Sequence, residues 1–292
     1  MSGEGDGPTV ARILLGSQLR RLREEQGMAR AEAAEALGTA DSTISRMELG
    51  RVALKEANVA VLLSLYGMDD EQERAAFLAR VRETNTQCWW HPYSDITPNW
   101  LQRYLGLEAT ASVIRTYEAQ WLPGLLQTEA YAEAMIRLGT YSQREDDVAR
   151  RVRLRLERQQ VLSQPDPPTL WAVIDEAALR RPVGGPRVMR DQIEALAAQE
   201  SKNPKVIIQV MPLAAGGHAG GGTSFTILRF PQEEMRDLVY VEQLTSALYL
   251  DKPADVDRYF DVMNHLSEEA ATPQETPAIL DRILSNRPAI GD

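Results

Sequence analysis

The chain is poor in the residues that build metal and redox centres: it has one cysteine, Cys88, and three histidines among 292 residues. A single thiol permits no intrachain disulfide and no clustered-cysteine zinc site, which agrees with a reducing compartment and leaves Cys88 as a packed thiol. His91, His218 and His265 show no metal-type spacing, so neither a metal centre nor a bound cofactor is expected. Long apolar runs are also missing. The apolar stretches are short and interrupted by Arg, Glu or Pro, and the first ten residues are polar and Gly-rich without a signal-peptide pattern. The expectation is a cytoplasmic protein with no membrane partner. Nor is there an excess of positive charge. A formal net charge of -10 argues against non-specific coating of nucleic acid, because phosphate contacts need Lys and Arg to displace counterions.

What is present reads as an ordinary globular chain, 43% hydrophobic and 25% charged, and its length suits two domains of about 100 to 200 residues each. Charge is distributed unevenly. Over residues 1 to 55, eight cations (Arg12, Arg20, Arg21, Arg23, Arg30, Arg46, Arg51 and Lys55) balance eight acids, so the acidity lies further along. A neutral module on an acidic body predicts weak non-specific affinity for DNA, steep salt dependence and a reliance on dimerisation.

The neutral segment carries a motif. From Arg12, the apolar residues Ile13, Leu14, Leu19 and Leu22 approximate one helical stripe, with Arg20, Arg21, Arg23, Glu24 and Glu25 mostly outside it, and Gly27 stops the helix. A second helix fits Ala29 to Ala36 and ends at Leu37-Gly38. A third fits Asp41 to Glu48, with Ile44 and Met47 facing inward, Ser42, Thr43, Ser45 and Arg46 elsewhere on the surface, and Gly50 closing it. Two short helices joined by a Gly-containing turn, the second opening with short polar side chains, form the helix-turn-helix pattern.

Gly27 to Arg51 resembles the Cro/C1-type, or Xre-family, helix-turn-helix, above all in Leu37-Gly38 and in the run from Ser42 to Arg51. The resemblance implies that the third helix enters the major groove while the start of the second contacts phosphate. It also implies that Glu48 braces the fold by pairing with an Arg of the first helix. Arg30 stands where the family usually has Gln, and it can grip a phosphate without repeating the amide's hydrogen bonds. By position, Asp41, Ser42, Thr43 and Arg46 are assigned to base edges and Arg30, Ser45, Arg51 and Lys55 to phosphates. A salt bridge from Arg46 to Glu48 or Glu24 is the competing expectation for that side chain.

Helices over Ala57 to Leu65 and Asp69 to Glu83 complete a five-helix domain. After Thr84-Asn85-Thr86 the texture changes to the aromatic, helix-breaking run from Cys88 to Tyr93, which sets an expected boundary between a DNA-binding domain over 1–87 and a second domain over 88–292. The latter contains the distinctive Trp121 to Tyr131 run, in which Pro123-Gly124 makes a sharp turn and Thr128 caps a helix from Glu129 to Leu138. A long basic helix follows over Arg144 to Leu162, bearing Arg150, Arg151, Arg153, Arg155 and Arg158 and read as a solvated face balanced by acids elsewhere. Strand-like runs at 169–174, 205–211, 224–230 and 238–242, with helices near 188–198 and 255–269, make this domain mixed α+β. The fold class of the whole chain is therefore α+β, an all-α helix-turn-helix domain followed by a mixed domain.

Residues from about Trp90 to Leu284 resemble the large domain that follows an Xre helix-turn-helix in actinobacterial regulators of the WhiJ-like or Scr1-type antitoxin-like group. The matching pieces are Pro123-Gly124-Leu125-Leu126-Gln127-Thr128, Asp175 to Arg180, and Gln209-Val210-Met211-Pro212 followed by a Gly-rich loop and Ser224-Phe225. That resemblance implies a small protein partner encoded beside the regulator.

For chemistry in the second domain the candidates are Asp175, Glu176, His218 and Glu242, beside strand ends or glycine loops. A catalytic site would need them to converge, and enzyme activity is not expected. The loop Gly216 to Gly222 could cradle phosphate, but it lacks the Lys-Ser/Thr of a P-loop and precedes a strand, so a flexible hairpin or lid loop is the preferred reading. Any ligand would be sought at that loop and at Trp89, Trp90 and Tyr93, although a buried core suits the tryptophans better. Three functions follow for comparison. The favoured one is a dimeric regulator that reads double-stranded DNA at half-sites about 34 to 36 Å apart and binds a small neighbour-encoded protein. The others are an antitoxin-like module whose DNA binding is autoregulatory, and a small-molecule-responsive regulator.

Overall fold

The computed structural model describes residues 8–85, 88–139 and 144–286. The chain divides into two units, one running through Pro92 and including Leu105–Thr110, the other comprising Tyr93–Tyr104 and everything from Ala111 onward. Residue 87, at the boundary expected from composition, lies outside the described residues.

In the first unit α1 (Pro8–Glu25), α2 (Arg30–Ala36), α3 (Asp41–Glu48), α4 (Glu56–Leu65) and α5 (Glu71–Thr84) follow the sequence pattern closely. The first helix starts four residues earlier than its apolar stripe indicates, because Thr9 and Val10 are buried. Leu15, Leu19, Ala33, Ile44, Met47, Leu54, Leu62, Leu63 and Val81 interlock as one core. Gly38 sits at φ 61, a left-handed conformation that lets the chain leave α2 and re-enter a helix within a few residues. Close approach sets a second requirement. At Gly16 a Cβ would lie 2.7 Å from the Glu48 carbonyl oxygen, so the absent side chain is what lets α1 press against the end of α3.

In the second unit the later part of the chain builds one six-stranded sheet in the order β3-β2-β1-β4-β5-β6. Its strands are β1 (Val113–Glu118), β2 (Thr169–Asp175), β3 (Val206–Met211), β4 (Phe225–Arg229), β5 (Leu238–Glu242) and β6 (Ala247–Leu250). The first three are parallel, with Ile114 opposite Leu170 and Leu170 opposite Val206; the last three form an antiparallel meander joined to β1 through β4, with Ile114 opposite Leu228. Parallel neighbours need crossovers, and helices supply them. The chain returns from β1 to β2 through α7 (Glu129–Leu138) and α8 (Glu145–Arg158). It returns from β2 to β3 through α9 (Glu176–Arg180), α10 (Pro186–Ala197) and α11 (Gln199–Lys202). In sequence, α6 (Asn99–Glu108), whose residues from Leu105 belong to the first unit, precedes β1, and α12 (Pro253–Glu269) and α13 (Thr276–Ser285) follow β6. Tyr117, Val173, Met211, Phe225, Ile227, Val239, Met263 and Leu266 form the core beneath α12.

Three expectations are corrected here. The Gly-rich loop is not a hairpin: β3 is an edge strand and β4 pairs with β1, so the loop carries the chain past two strands. The basic helix ends at Arg158 and continues as a tighter 3-10 turn over Gln159–Ser163. Its arginines are only in part the solvated face expected: Arg153 is exposed and the other four half-buried, although Arg150 does find an acid elsewhere. Arg150 forms a two-pronged pair with Asp95 at 2.6 and 2.7 Å, Arg155 donates to Gln127 Oε1 at 2.9 Å, and Arg158 lies over the Tyr104 ring.

The turn ahead of α7 explains the Pro123 to Thr128 run. Thr128 caps α7 by accepting from the Tyr131 backbone N–H, as its position predicts. Three glutamines then satisfy the surrounding polar groups. Gln192, fully buried, accepts from Thr128 N at 2.6 Å and donates to Leu126 O at 2.9 Å. Gln159 donates to the carbonyls of Gly124 and Gln127, and Gln127 donates to Leu122 O.

Candidate nucleic-acid interface

The candidate recognition surface is built on α2 and α3. Ile44 and Met47 sink into the core, which turns the opposite side of α3 outward. Asp41, Ser42 and Arg46 are exposed and Thr43 and Ser45 half-buried. Arg30 at the start of α2, and Arg51 and Lys55 after α3, are exposed as well. All eight residues assigned from sequence therefore retain some contact with solvent.

Their side chains are partly held by one another. Arg46 curls back over the first turn of its own helix, donating Nε to Ser42 O at 3.2 Å and Nη2 to Thr43 Oγ1 at 3.4 Å. It makes no salt bridge to Glu48 or Glu24, because Glu48 is taken by Arg23 and Glu24 by Arg20. Arg30 lies 3.5 Å from the Asp41 carboxylate, so a residue assigned to phosphate and one assigned to a base edge pair across the turn.

Beneath this surface Arg23 and Glu48 form the brace that the family resemblance implies. The guanidinium donates to both Glu48 oxygens and to Met28 O at 2.7 Å, tying the ends of α1 and α3 to the loop before α2. Hydrogen bonding to Glu48 holds the Arg23 pKa above its ordinary value. Burial, reinforced by the Glu48 charge, pushes the Tyr66 phenol up to about 12. An open cleft of about 380 Å³ lies over the pair, and Arg20 and Glu24, which the sequence pattern left on the outer face of α1, line it together with Arg30 and Ser45.

Comparison with known families places both halves of the chain. A profile described as a helix-turn-helix domain matches residues 14–84, which contain all eight residues assigned from sequence. A second, described as a domain of unknown function (DUF5753), matches residues 101–282 of the 292. The chain belongs to the DUF5753 family. Neither the curated proteins nor the solved structures gave a match. The helix-turn-helix match points to a DNA-binding regulator rather than an enzyme. No helix among the described residues is long and apolar enough to cross a membrane.

Within the DUF5753 domain the four candidate acid and base residues do not converge on one site. Asp175 and His218 meet, Oδ2 to Nε2 at 3.3 Å, and the Tyr117 hydroxyl reaches the same nitrogen at 3.3 Å. The other ring nitrogen accepts from Gly220 N at 3.2 Å. Asp175 Oδ1 caps α9 through Ala177 N. Polar groups with this many internal partners pin the glycine loop to the ends of β1 and β2. Tyr117 was missed from sequence because a tyrosine in an apolar strand reads as core, and it is indeed buried. Glu176 pairs with Arg180 and accepts from Leu213 N, while Glu242 accepts from the Tyr240 hydroxyl. No group of three metal-ligating side chains is assembled among the described residues.

One acid in the domain stands apart. Burial pushes the Glu118 carboxyl up to about 7, with the Glu242 charge adding to the rise and a hydrogen bond to Ser224 and the Arg158 and Arg155 charges opposing it. Of the aromatic run, Trp90 is buried and Trp89 exposed, the two rings meeting edge-on at 5.5 Å. Tyr93 belongs to the second unit and donates to Glu157 at 2.7 Å.

Proposed function

We propose that this protein is a sequence-specific DNA-binding transcriptional regulator whose helix α3 lies in the major groove. The observation that carries the reading is the division of α3 into a buried face, Ile44 and Met47, and an outward face bearing Asp41, Ser42 and Arg46. In this reading Asp41, Ser42, Thr43 and Arg46 read base edges, and Arg30, Ser45, Arg51 and Lys55 contact phosphates. The protein acts as a homodimer on two half-sites one helical turn apart. Its DNA-binding domain spans 1–87, and the domain over 88–292 dimerises and binds a small protein encoded by a neighbouring gene, in the manner of the WhiJ-like or Scr1-type group. Such a partner alters DNA occupancy only through different affinities for the DNA-competent and DNA-incompetent states.

The test is binding to the gene's own upstream DNA across a salt series, comparing wild type with Arg46→Ala and Arg30→Ala. Loss of about 1 to 3 kcal/mol with relaxed base preference is expected for Arg46→Ala, and uniform weakening on all sequences for Arg30→Ala. Absence of specific binding, even with the small neighbour-encoded protein added, overturns the reading.

A further inference from the structure

Every arginine lining the cleft over the helix-turn-helix is already held by a carboxylate. Arg20 is 2.7 Å from Glu24, Arg23 is 2.6 Å from Glu48, and Arg30 is 3.5 Å from Asp41. The three pairs differ in how easily they open. Arg23 and Glu48 are buried, with side-chain exposures of 8% and 6%, and form the floor of the cleft. Arg20 and Glu24 stand at its rim at 56% and 51%, an exposed pair one helical turn apart, which water and salt weaken. Arg30 and Asp41 are half-exposed as well.

The cleft brings Arg20 into the same space as Arg30 and Ser45, the two residues of the proposed phosphate set that line it. Two guanidiniums and a hydroxyl around one open volume supply donors suited to the tetrahedral oxygens of a single phosphate. The neighbouring Arg21 pairs instead with Glu25, at 3.5 Å, and does not line the cleft. We infer that Arg20, Arg30 and Ser45 form one seat for a backbone phosphate of DNA, and that Glu24 competes for that seat by occupying Arg20 until a phosphate displaces it. This rests on the DNA-binding reading and extends it to a residue on α1. The exchange is anion for anion: Arg20 keeps a charged acceptor throughout, Glu24 keeps only its longer contact to Arg23 at 3.6 Å, and the released counterions drive the step. Because the competitor is part of the protein, phosphate affinity at this position is held down for every DNA sequence, leaving discrimination to the base-reading face of α3.

The experiment measures the full chain on its own upstream DNA and on an unrelated duplex of equal length, from 50 to 200 mM salt, for wild type, Arg20→Ala, Arg21→Ala and Glu24→Gln. Arg20→Ala is expected to reduce the slope of log affinity against log salt by about 0.9, so its deficit is about 3.5-fold larger at the low end of the series than at the high end, equally on both duplexes. Arg21→Ala, with the same change in charge, leaves the slope unchanged, and Glu24→Gln tightens binding several-fold on both duplexes. All three side chains are exposed, so unchanged circular dichroism and thermal midpoints are expected. Equal slopes for Arg20→Ala and wild type, equal losses for Arg20→Ala and Arg21→Ala, or weaker binding by Glu24→Gln would each overturn the inference while leaving the DNA-binding reading intact. If the wild type binds neither duplex, that reading fails and the phosphate seat fails with it.

Discussion

Arg23 and Glu48, 25 residues apart in sequence, meet in a buried two-pronged ion pair, Nε to Oε1 at 2.6 Å and Nη2 to Oε2 at 3.0 Å. The contact joins the last turn of α1 to the last turn of α3, so α3 is held by its packed apolar face and, at its C-terminal end, by this brace. Removing one member leaves the other charged and enclosed. Glu48→Ala is therefore expected to cost about 3 to 5 kcal/mol, read from urea denaturation, and to weaken DNA binding even under conditions where the protein stays folded. A loss below about 1 kcal/mol would mean that the pair opens to water at little cost.

Gln192 makes a comparable demand in the DUF5753 domain. Its amide serves Thr128 N and Leu126 O together, and no solvent reaches it. Gln192→Leu keeps much of the volume but strands both backbone groups, at about 1 to 3 kcal/mol for each. Hydrogen exchange is expected to accelerate at the start of α7 while α1 to α5 keep their protection. Equal acceleration in both units would contradict a local role.

Stability is expected to depend on pH through Glu118. Its folded pKa of about 7 lies above the ordinary 4.5, so the folded state binds a proton more tightly than the unfolded chain does. That contribution is fully present below about pH 4.5 and is lost as pH rises towards 7, by an amount on the order of 2 kcal/mol once partial contact with solvent is allowed for. Glu118→Gln keeps a neutral, hydrogen-bonding side chain and removes the titration. Urea unfolding at pH 5 and pH 8 checks this: the difference between the two pH values should be smaller in the variant, and the variant should be the more stable protein at pH 8.

The helix-turn-helix was readable because its information is local. Apolar spacing and two glycines set α2 and α3, and α3 runs from Asp41 to Glu48 as the sequence pattern places it. The strand β5 is equally plain, four buried residues followed by a charge. By contrast, β1 carries Arg115, Thr116 and Glu118 among its apolar residues, and these polar groups make sense only through distant partners. Arg115 donates to Asn264 and Ser267, and Thr116 meets Thr226 across the sheet. The four residues of β6 are too few to show a period, and α13 follows a capping box at Thr272 that sequence inspection passed over. The solvent contact of the eight residues assigned to DNA followed from local pattern, whereas the Arg30–Asp41 pair depends on the turn between α2 and α3, and the cleft beside Arg20 on how α1 packs against α3.

The strand order has a consequence for how the protein is made. β1 is the first strand to leave the ribosome and ends in the middle of the sheet, yet the partner on its antiparallel side begins only at Phe225. A growing chain can pair β1, β2 and β3 once Met211 is free, with the DNA-binding helices already complete. Until β4 emerges, the other edge of β1 stays open, a row of unsatisfied amides and carbonyls able to template pairing with a neighbouring nascent chain. A chain truncated between Met211 and Phe225 is therefore expected to aggregate more readily than one that extends past Arg229 and covers that edge.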